Sequence, residues 1–428
     1  MTVQMKSRII TRTIDAVRDA CHGLYPFLGA LIYRFPSRKL CVIGVTGTDG
    51  KSSTVMMLAT ILEQSGHRTA SFSSIQYSDG RTTERNTLKM TTPGRMFLQR
   101  FLSRSMKNGC THAVLEITSE GIKQNRHRFI GFDLVVLTNV TPEHIERHGG
   151  FDRYLETKLR LVRQAQKAVI NLDDSESART AATLTLPLFT HSMKGIPSSL
   201  VGTILKNNLF QSELSYVYGK ETHTLHLKLG GPFAPQNATA AIAASLCLGV
   251  SLKQSISALE SLSLIPGRFD IIGQDPLVIV DYAHTTNAVA QILRYIKERA
   301  QGRLIHVFGA AGGGRDTWKR KELAELSERY ADMSILTEEN PFDEEPEKIL
   351  TDITSGFSPT HLMLQLPHRE DAVRRALELA KKEDVVLLTA KGSETVIAGP
   401  NRTRRPYEER AYVSLCLQSI HSKKSQPV

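Results

Sequence analysis

Residues 44–53 read Gly44-Val45-Thr46-Gly47-Thr48-Asp49-Gly50-Lys51-Ser52-Ser53, directly after the apolar run 40–45 and directly before the helix-forming stretch 54–64. Glycines in such a loop let backbone N–H groups curl round a phosphate, a lysine reaches the terminal phosphates, and a serine hydroxyl can ligate magnesium. Gly47, Thr48, Asp49, Gly50, Lys51, Ser52 and Ser53 are therefore candidate contacts to a nucleoside triphosphate. Val45 occupies the slot that strict phosphate-loop spacing gives to glycine, yet strand, loop and helix follow in the required order. A second apolar run, 112–117, carries Glu116 near its end. In a parallel sheet that end lies beside the loop, where the carboxylate can share magnesium with Ser52.

The elements that must position these groups alternate along the chain. Apolar runs at 40–45, 112–117, 134–139, 168–172, 277–280, 304–308, 333–337 and 385–389 are separated by helical stretches, which implies parallel α/β sheets. Residues 184–229 alternate polar and apolar in short pieces and read as an antiparallel edge or a subsidiary sheet. Residues 236–264 read as helical and end at Pro266-Gly267, where a domain boundary is expected. A second α/β unit then runs to residue 417, and residues 422–428 read as a frayed tail.

Length and composition bound the rest. The 428 residues suffice for two to four domains, and 41% hydrophobic with 23% charged residues excludes collagen-like, coiled-coil and wholly disordered chains. The formal charge of +11 suits an anionic partner without naming it. Nucleic acid is disfavoured by an aromatic content of 6% and by the lack of a basic stripe interleaved with aromatics. Five scattered cysteines without a CxxC pair fit a reducing cytoplasm. The apolar stretch 21–33 is too short to span a bilayer and lacks the flanks of a signal peptide. It reads as a helix packed on the body, with weak membrane-surface contact as the alternative because Arg34, Arg38 and Lys39 follow it.

Further motifs continue in order through the chain: Thr91-Thr92-Pro93, Glu116-Ile117-Thr118-Ser119, Thr138-Asn139 with His144 and His148-Gly149, Tyr154 with Lys158, and Asn171-Leu172-Asp173-Asp174. Then come Pro266-Gly267-Arg268, Asp281-Tyr282-Ala283-His284, Phe308-Gly309 with Gly312-Gly313, Arg315-Asp316 with Lys319-Arg320, Asn340-Pro341, and Lys391-Gly392 with Glu394. The set resembles the Mur ligase family, ATP-dependent enzymes that add amino acids to peptidoglycan precursors, and most closely the members that add the third residue of the stem peptide.

That resemblance implies an α/β fold in three parts: a short N-terminal helical segment at 1–39, a central ATP-binding domain with a phosphate-loop parallel sheet at 40–265, and a Rossmann-like C-terminal domain at 266–428. It implies ATP and Mg2+ as cofactors and an acyl-phosphate intermediate, with Lys51, Glu116, His144 and Lys158 as the catalytic set. Ser52, Glu116, His144 and Lys158 would serve magnesium, Lys158 as a carbamate, since the matching lysine of the family is carbamylated. Asn237, Arg268, Asp281, Tyr282 and His284 would contact the nucleotide. Thr91, Thr92, Thr118, Gln124 and Arg126 would hold a muramoyl-peptide-like donor. Arg315, Asn340 and Glu394 would meet substrate, with Lys319 and Arg320 completing a cationic cluster. A cytoplasmic monomer that binds no nucleic acid is the implied setting.

Several positions depart from the family pattern. Asp49 stands for the usual Asn, Glu120 for His, Glu143 for Asp, and Ala390 and Ser393 replace Gly and His around Lys391-Gly392. Phe342 follows Asn340-Pro341 where diaminopimelate-adding members carry an arginine that grips the distal carboxylate. Lysine or another amine is therefore the expected acceptor, with Asp343, Glu344 and Glu345 available to meet a cation. Only residues 1–39 precede the phosphate-loop strand, so the donor is expected to be recognised through its muramoyl-peptide rather than its uridine. Alternatives are a ligase acting on a lipid-linked or folate-like substrate, and a non-catalytic ATP-binding relative.

Overall fold

A computed structural model describes residues 23–88, 90–94, 96–143 and 145–424. The strand Cys41–Thr46 is flanked by two parallel neighbours, His112–Glu116 and Phe132–Leu137. All three are buried on both faces, which is why they read as continuous apolar runs rather than alternating ones. Beyond Phe132–Leu137 come Ala165–Asn171 and Leu188–Ser192, both parallel, and beyond His112–Glu116 comes Thr69–Phe72. Among the described residues the sheet has eleven strands.

Residues 184–229 extend this same sheet. Leu188–Ser192 and Leu200–Asn207 continue it in parallel, and Ser212–Tyr218 and Glu221–Leu227 close the edge as an antiparallel meander. The helix Lys51–Gln64 packs on one face with Ala234–Cys247, burying Leu58, Ile61, Val136 and Ala241. Phe97–Lys107 and Phe151–Val162 cover the other face. The expected helical stretch 236–264 is two helices. Gly249, at φ +90°, breaks it, and Ser251 opens Leu252–Glu260 with a reciprocal capping box to Gln254.

After Pro266-Gly267 the chain enters a second sheet of six strands, ordered Asp270–Gln274, Leu277–Val280, Val385–Leu388, Leu304–Phe308, Met333–Leu336 and Met363–Gln365. Every pair is parallel except the first. Helices lie on both faces, and the last, Glu409–Lys424, includes residues 422–424, which the sequence assigns to a frayed tail. A two-stranded hairpin, Val396–Ala398 with Arg404–Pro406, stands apart from both sheets. The described part of the N-terminal helix covers residues 23–32; Cys21 and His22 lie outside the described residues. Pro26, Gly29 and Ala30 face the body, while Leu24, Phe27, Leu31 and Ile32 are exposed. Among the described residues no helix is long and apolar enough to cross a membrane.

Candidate active site

The carboxyl ends of the central strands open into a cavity of about 510 Å³ that residues before and after Pro266-Gly267 line together. The phosphate loop forms its floor. Gly47 is required there, because a Cβ at this position would lie 1.9 Å from Thr138 Oγ1. The next turn is held from the neighbouring strand end: Asp49 N donates to Asn139 Oδ1 (2.9 Å), and Thr138 Oγ1 donates to Asp49 O (2.7 Å). Gly50 has φ +80°, and a Cβ there would lie 2.2 Å from Asn237 Oδ1. Lys51 Nζ donates to Thr48 O (2.7 Å), which keeps the ammonium at the loop.

Glu116 is buried at the end of its strand, as the parallel sheet requires, and it meets the loop directly. Ser52 Oγ donates to Glu116 Oε2 (2.7 Å), and the backbone N of Ser74 donates to the same oxygen (2.9 Å). Ser74 Oγ lies 2.7 Å from Ser52 Oγ. No sequence motif marks Ser74; it follows the short strand Thr69–Phe72, whose four residues carry no distinct pattern. From the second sheet's side, Arg268 Nη2 reaches both hydroxyls, at 3.5 Å to Ser52 Oγ and 3.3 Å to Ser74 Oγ. Its guanidinium sits 4.4 Å over the Tyr282 ring.

Lys158 is 1% exposed, not the surface cation that its residue type suggests. Its Nζ donates to Gly47 O (2.6 Å) and lies 4.5 Å from the Tyr154 ring, one helical turn back. Burial, reinforced by the charge of Lys51, holds this amine well below the usual lysine range. Tyr154 is fixed in turn by Thr48 Oγ1 at 3.0 Å. Asp49 is also enclosed; burial pushes its carboxyl up against the lowering charges of Lys51 and Lys158. His144 lies outside the described residues.

Some sequence-predicted site residues brace the cavity wall, Asp281 while lining it and Thr92, Gln124 and Arg126 from behind it. Both oxygens of Asp281 accept backbone N–H groups, from Phe269 and from Ala283 (2.6 Å each), so this carboxylate shapes the turn that presents Tyr282 and His284. Burial lowers the His284 imidazole to about 3, leaving it neutral. Thr91 and Thr118 line the cavity. Thr92 Oγ1 instead accepts from Thr118 N (2.9 Å), and Arg126 Nη1 donates to Thr92 O (2.7 Å) with Gln124 beside it.

The expected cationic cluster divides. Arg315 and Lys319 line the cavity, Lys319 also making a buried ion pair with Glu143 (3.1 Å) that ties the two sheets' domains together, and Arg320 turns away to Glu344 and Asp352 (2.7 Å each). The acidic group expected to meet a cation is also occupied elsewhere. Glu344 holds Arg320, Asp343 Oδ1 accepts from Asn401 N (2.7 Å), Glu345 precedes the helix Pro346–Thr354 without a side-chain hydrogen bond to its first turn, and none of the three lines the cavity. Glu339 and Glu394 do line it. Asn340 Nδ2 donates to Glu394 Oε2 (2.9 Å), and Lys391 Nζ donates to the same oxygen (2.7 Å).

Residues 45–245 match the Mur ligase middle domain, and residues 267–392 match the Mur ligase glutamate ligase domain. A UDP-N-acetylmuramoyl-L-alanyl-D-glutamate--2,6-diaminopimelate ligase of Caldanaerobacter subterraneus subsp. tengcongensis is 35% identical over 406 residues, covering 94% of this chain and 83% of that protein. The ligase of the same name from Alkaliphilus metalliredigens is 36% identical over 377 residues, covering 86% of this chain and 75% of that one. A solved structure of a ligase of this name superposes with a TM-score of 0.63 at 28% identity, over 93% of this chain and 83% of the other. A MurF ligase of Thermotoga maritima in complex with ADP shares the fold, with a TM-score of 0.68 at 19% identity, over 93% and 84% of the two chains.

Proposed function

Because the chain belongs to the Mur ligase family of ATP-dependent ligases, we propose that it joins an amino acid to the carboxyl end of a muramoyl-peptide precursor of peptidoglycan, using the cavity between its two sheets. The observation that carries this reading is the convergence at Ser52, where the phosphate loop, Glu116 of the central sheet and Arg268 of the following domain meet within 3.5 Å. Residues 40–265 act as the ATP-binding unit, and residues 266–428 close over it.

In the reaction a donor carboxylate oxygen attacks the γ-phosphorus of ATP, and the bond from that phosphorus to the bridging oxygen of ADP breaks, giving an acyl phosphate. The acceptor's amine then attacks the acyl carbon and inorganic phosphate leaves. Several anions crowd together in both steps, so cations aimed at them stabilise the transition states most. That Lys51 and Arg268 both line the cavity supports this role for them. Ser52 and Glu116 offer only oxygen donors, which fits a hard divalent cation, and they are the residues that would hold Mg2+; the ion would draw charge from the β- and γ-phosphates. Lys158 supports carbamylation, because only a neutral amine adds to carbon dioxide and burial holds this one neutral more readily than a free lysine.

The setting we propose is a cytoplasmic monomer. The exposed apolar face of residues 23–32, followed by Arg34, Arg38 and Lys39, supports weak contact with an anionic membrane surface.

The test is phosphate release from ATP by the full chain, with muramoyl-dipeptide donors carrying or lacking UDP, against a panel of amino acids. Release should require donor and acceptor together, and the product should gain the acceptor's mass less one water. Phosphate release that no donor and acceptor stimulate would overturn the assignment.

A further inference from the structure

Phe342 occupies the position after Asn340-Pro341, and its backbone is covered by the hairpin Val396–Ala398/Arg404–Pro406. Phe342 N donates to Ala398 O (3.0 Å), Ala398 N donates to Asn340 Oδ1 (2.9 Å), and Asn401 N donates to Asp343 Oδ1 (2.7 Å). Lys391 Nζ, fully buried, holds the start of the hairpin through Val396 O (2.8 Å). The hairpin is thus pinned on both sides of residue 342. Its arginines then divide by direction. Arg405 turns outward to Glu338 and Glu370. Arg402 and Arg404 line the cavity, and neither has a carboxylate partner among the described residues. Arg315 adds a third guanidinium, 5.3 Å over the Phe342 ring.

Negative charge at this end of the cavity is limited. Glu394 is already met by Lys391 and Asn340. Burial, reinforced by the neighbouring Glu394, pushes the Glu339 carboxyl up and favours its neutral form. An acceptor ending in an ammonium alone would face three guanidinium groups, whereas a carboxylate would accept their paired N–H donors.

We propose that Arg402 and Arg404 form a carboxylate subsite that substitutes for the side chain missing at residue 342, so that the acceptor is an amino acid bearing a second carboxylate. This rests on the ligase reading above and names the substrate class of the same site. It reverses the expectation of lysine drawn from Phe342 alone, because the cations come from a segment sixty residues further along the chain.

The experiment compares kcat/KM for meso-diaminopimelate, L-glutamate and L-lysine in the full-length protein and in an R402A/R404A double variant. L-lysine differs from diaminopimelate by the distal carboxylate alone. The ratio of two acceptors measured in one preparation does not depend on the fraction that is folded. The wild type should prefer a dicarboxylic acceptor to lysine by about tenfold or more, and the double variant should reduce that preference by about tenfold. An R402K/R404K variant, which keeps charge but not the planar fork, should fall between them. Preference for diaminopimelate over glutamate, or the reverse, identifies the acid, and either supports the subsite. A wild type that uses lysine as well as both dicarboxylates, or a preference unchanged in R402A/R404A, overturns it. No phosphate release with any acceptor overturns the ligase reading itself.

Discussion

Gly47→Ala is the most direct probe of the phosphate loop. An added Cβ would sit 1.9 Å from Thr138 Oγ1 and 3.1 Å from Asn139 O, and φ at residue 47 is +150°. The loop must then open by about 1 Å, and misplacement on that scale costs on the order of 10² in rate, or ~2.7 kcal/mol. The loss has a specific origin that a second substitution can expose. Thr138 Oγ1 also donates to Asp49 O, so Thr138→Ala alone should cost about 1 kcal/mol, roughly fivefold. If the two effects were independent, the double variant would fall by the product, about 5 × 10². If the clash with Oγ1 dominates, removing that oxygen relieves it, and the double variant should be no worse than Gly47→Ala. Steady-state phosphate release gives kcat/KM for all four proteins, and thermal melts check that each is folded. An activity within threefold of wild type for Gly47→Ala, or strictly multiplicative losses in the double variant, would refute the reasoning.

Other predictions follow from the same geometry. Lys51→Ala should lower turnover by ~10² or more, since a charge contact to the transferring phosphoryl group is lost; near-normal ligation would remove Lys51 from catalysis. Labelled bicarbonate should produce a carbamate carbon signal that disappears in Lys158→Ala, and a fully active bicarbonate-free enzyme without that signal would leave Lys158 a plain buried amine. His306, bonded to Ser327 Oγ (2.8 Å) and Thr389 Oγ1 (2.9 Å), is held neutral by burial, with its pKa lowered to about 3. Between pH 6.5 and that value the unfolded chain binds a proton that the folded one refuses, so stability falls as pH drops through this window. Urea melts at pH 7, 6 and 5 should show this slope flattened in His306→Asn by up to ~1.4 kcal/mol per pH unit; an unchanged slope would mean that His306 is protonated in the fold.

The residues 44–53 and Glu116 were legible from sequence because local rules govern them. A buried parallel strand must be apolar, a loop that cradles phosphate must be rich in glycine, and strand carboxyl ends share one edge of a parallel sheet. Those rules place Ser52 beside Glu116 without any coordinates, and the structure brings them to 2.7 Å. The same periodicity located the strands Leu277–Val280 and Leu304–Phe308 to the residue. Spacing could not reveal which side chains face inward once the sheets are packed. Lys158 lies on an amphipathic helix, and only its docking under Gly47 makes its amine buried. Arg315, Lys319 and Arg320 are neighbours in sequence, but their helix and loop point them to the cavity, to Glu143 and to Glu344. Asp281 is tied to backbone N–H groups that exist as a pair only after the turn has formed. The sequence by itself therefore determined the family, the fold class and the strand–loop–helix order around residues 44–53, which depend on local pattern and strand order. The tertiary structure alone decided which cations share a cavity wall with Phe342, because Arg402 and Arg404 come to line the same cavity only through a hairpin whose hydrogen bonds join distant segments of the chain.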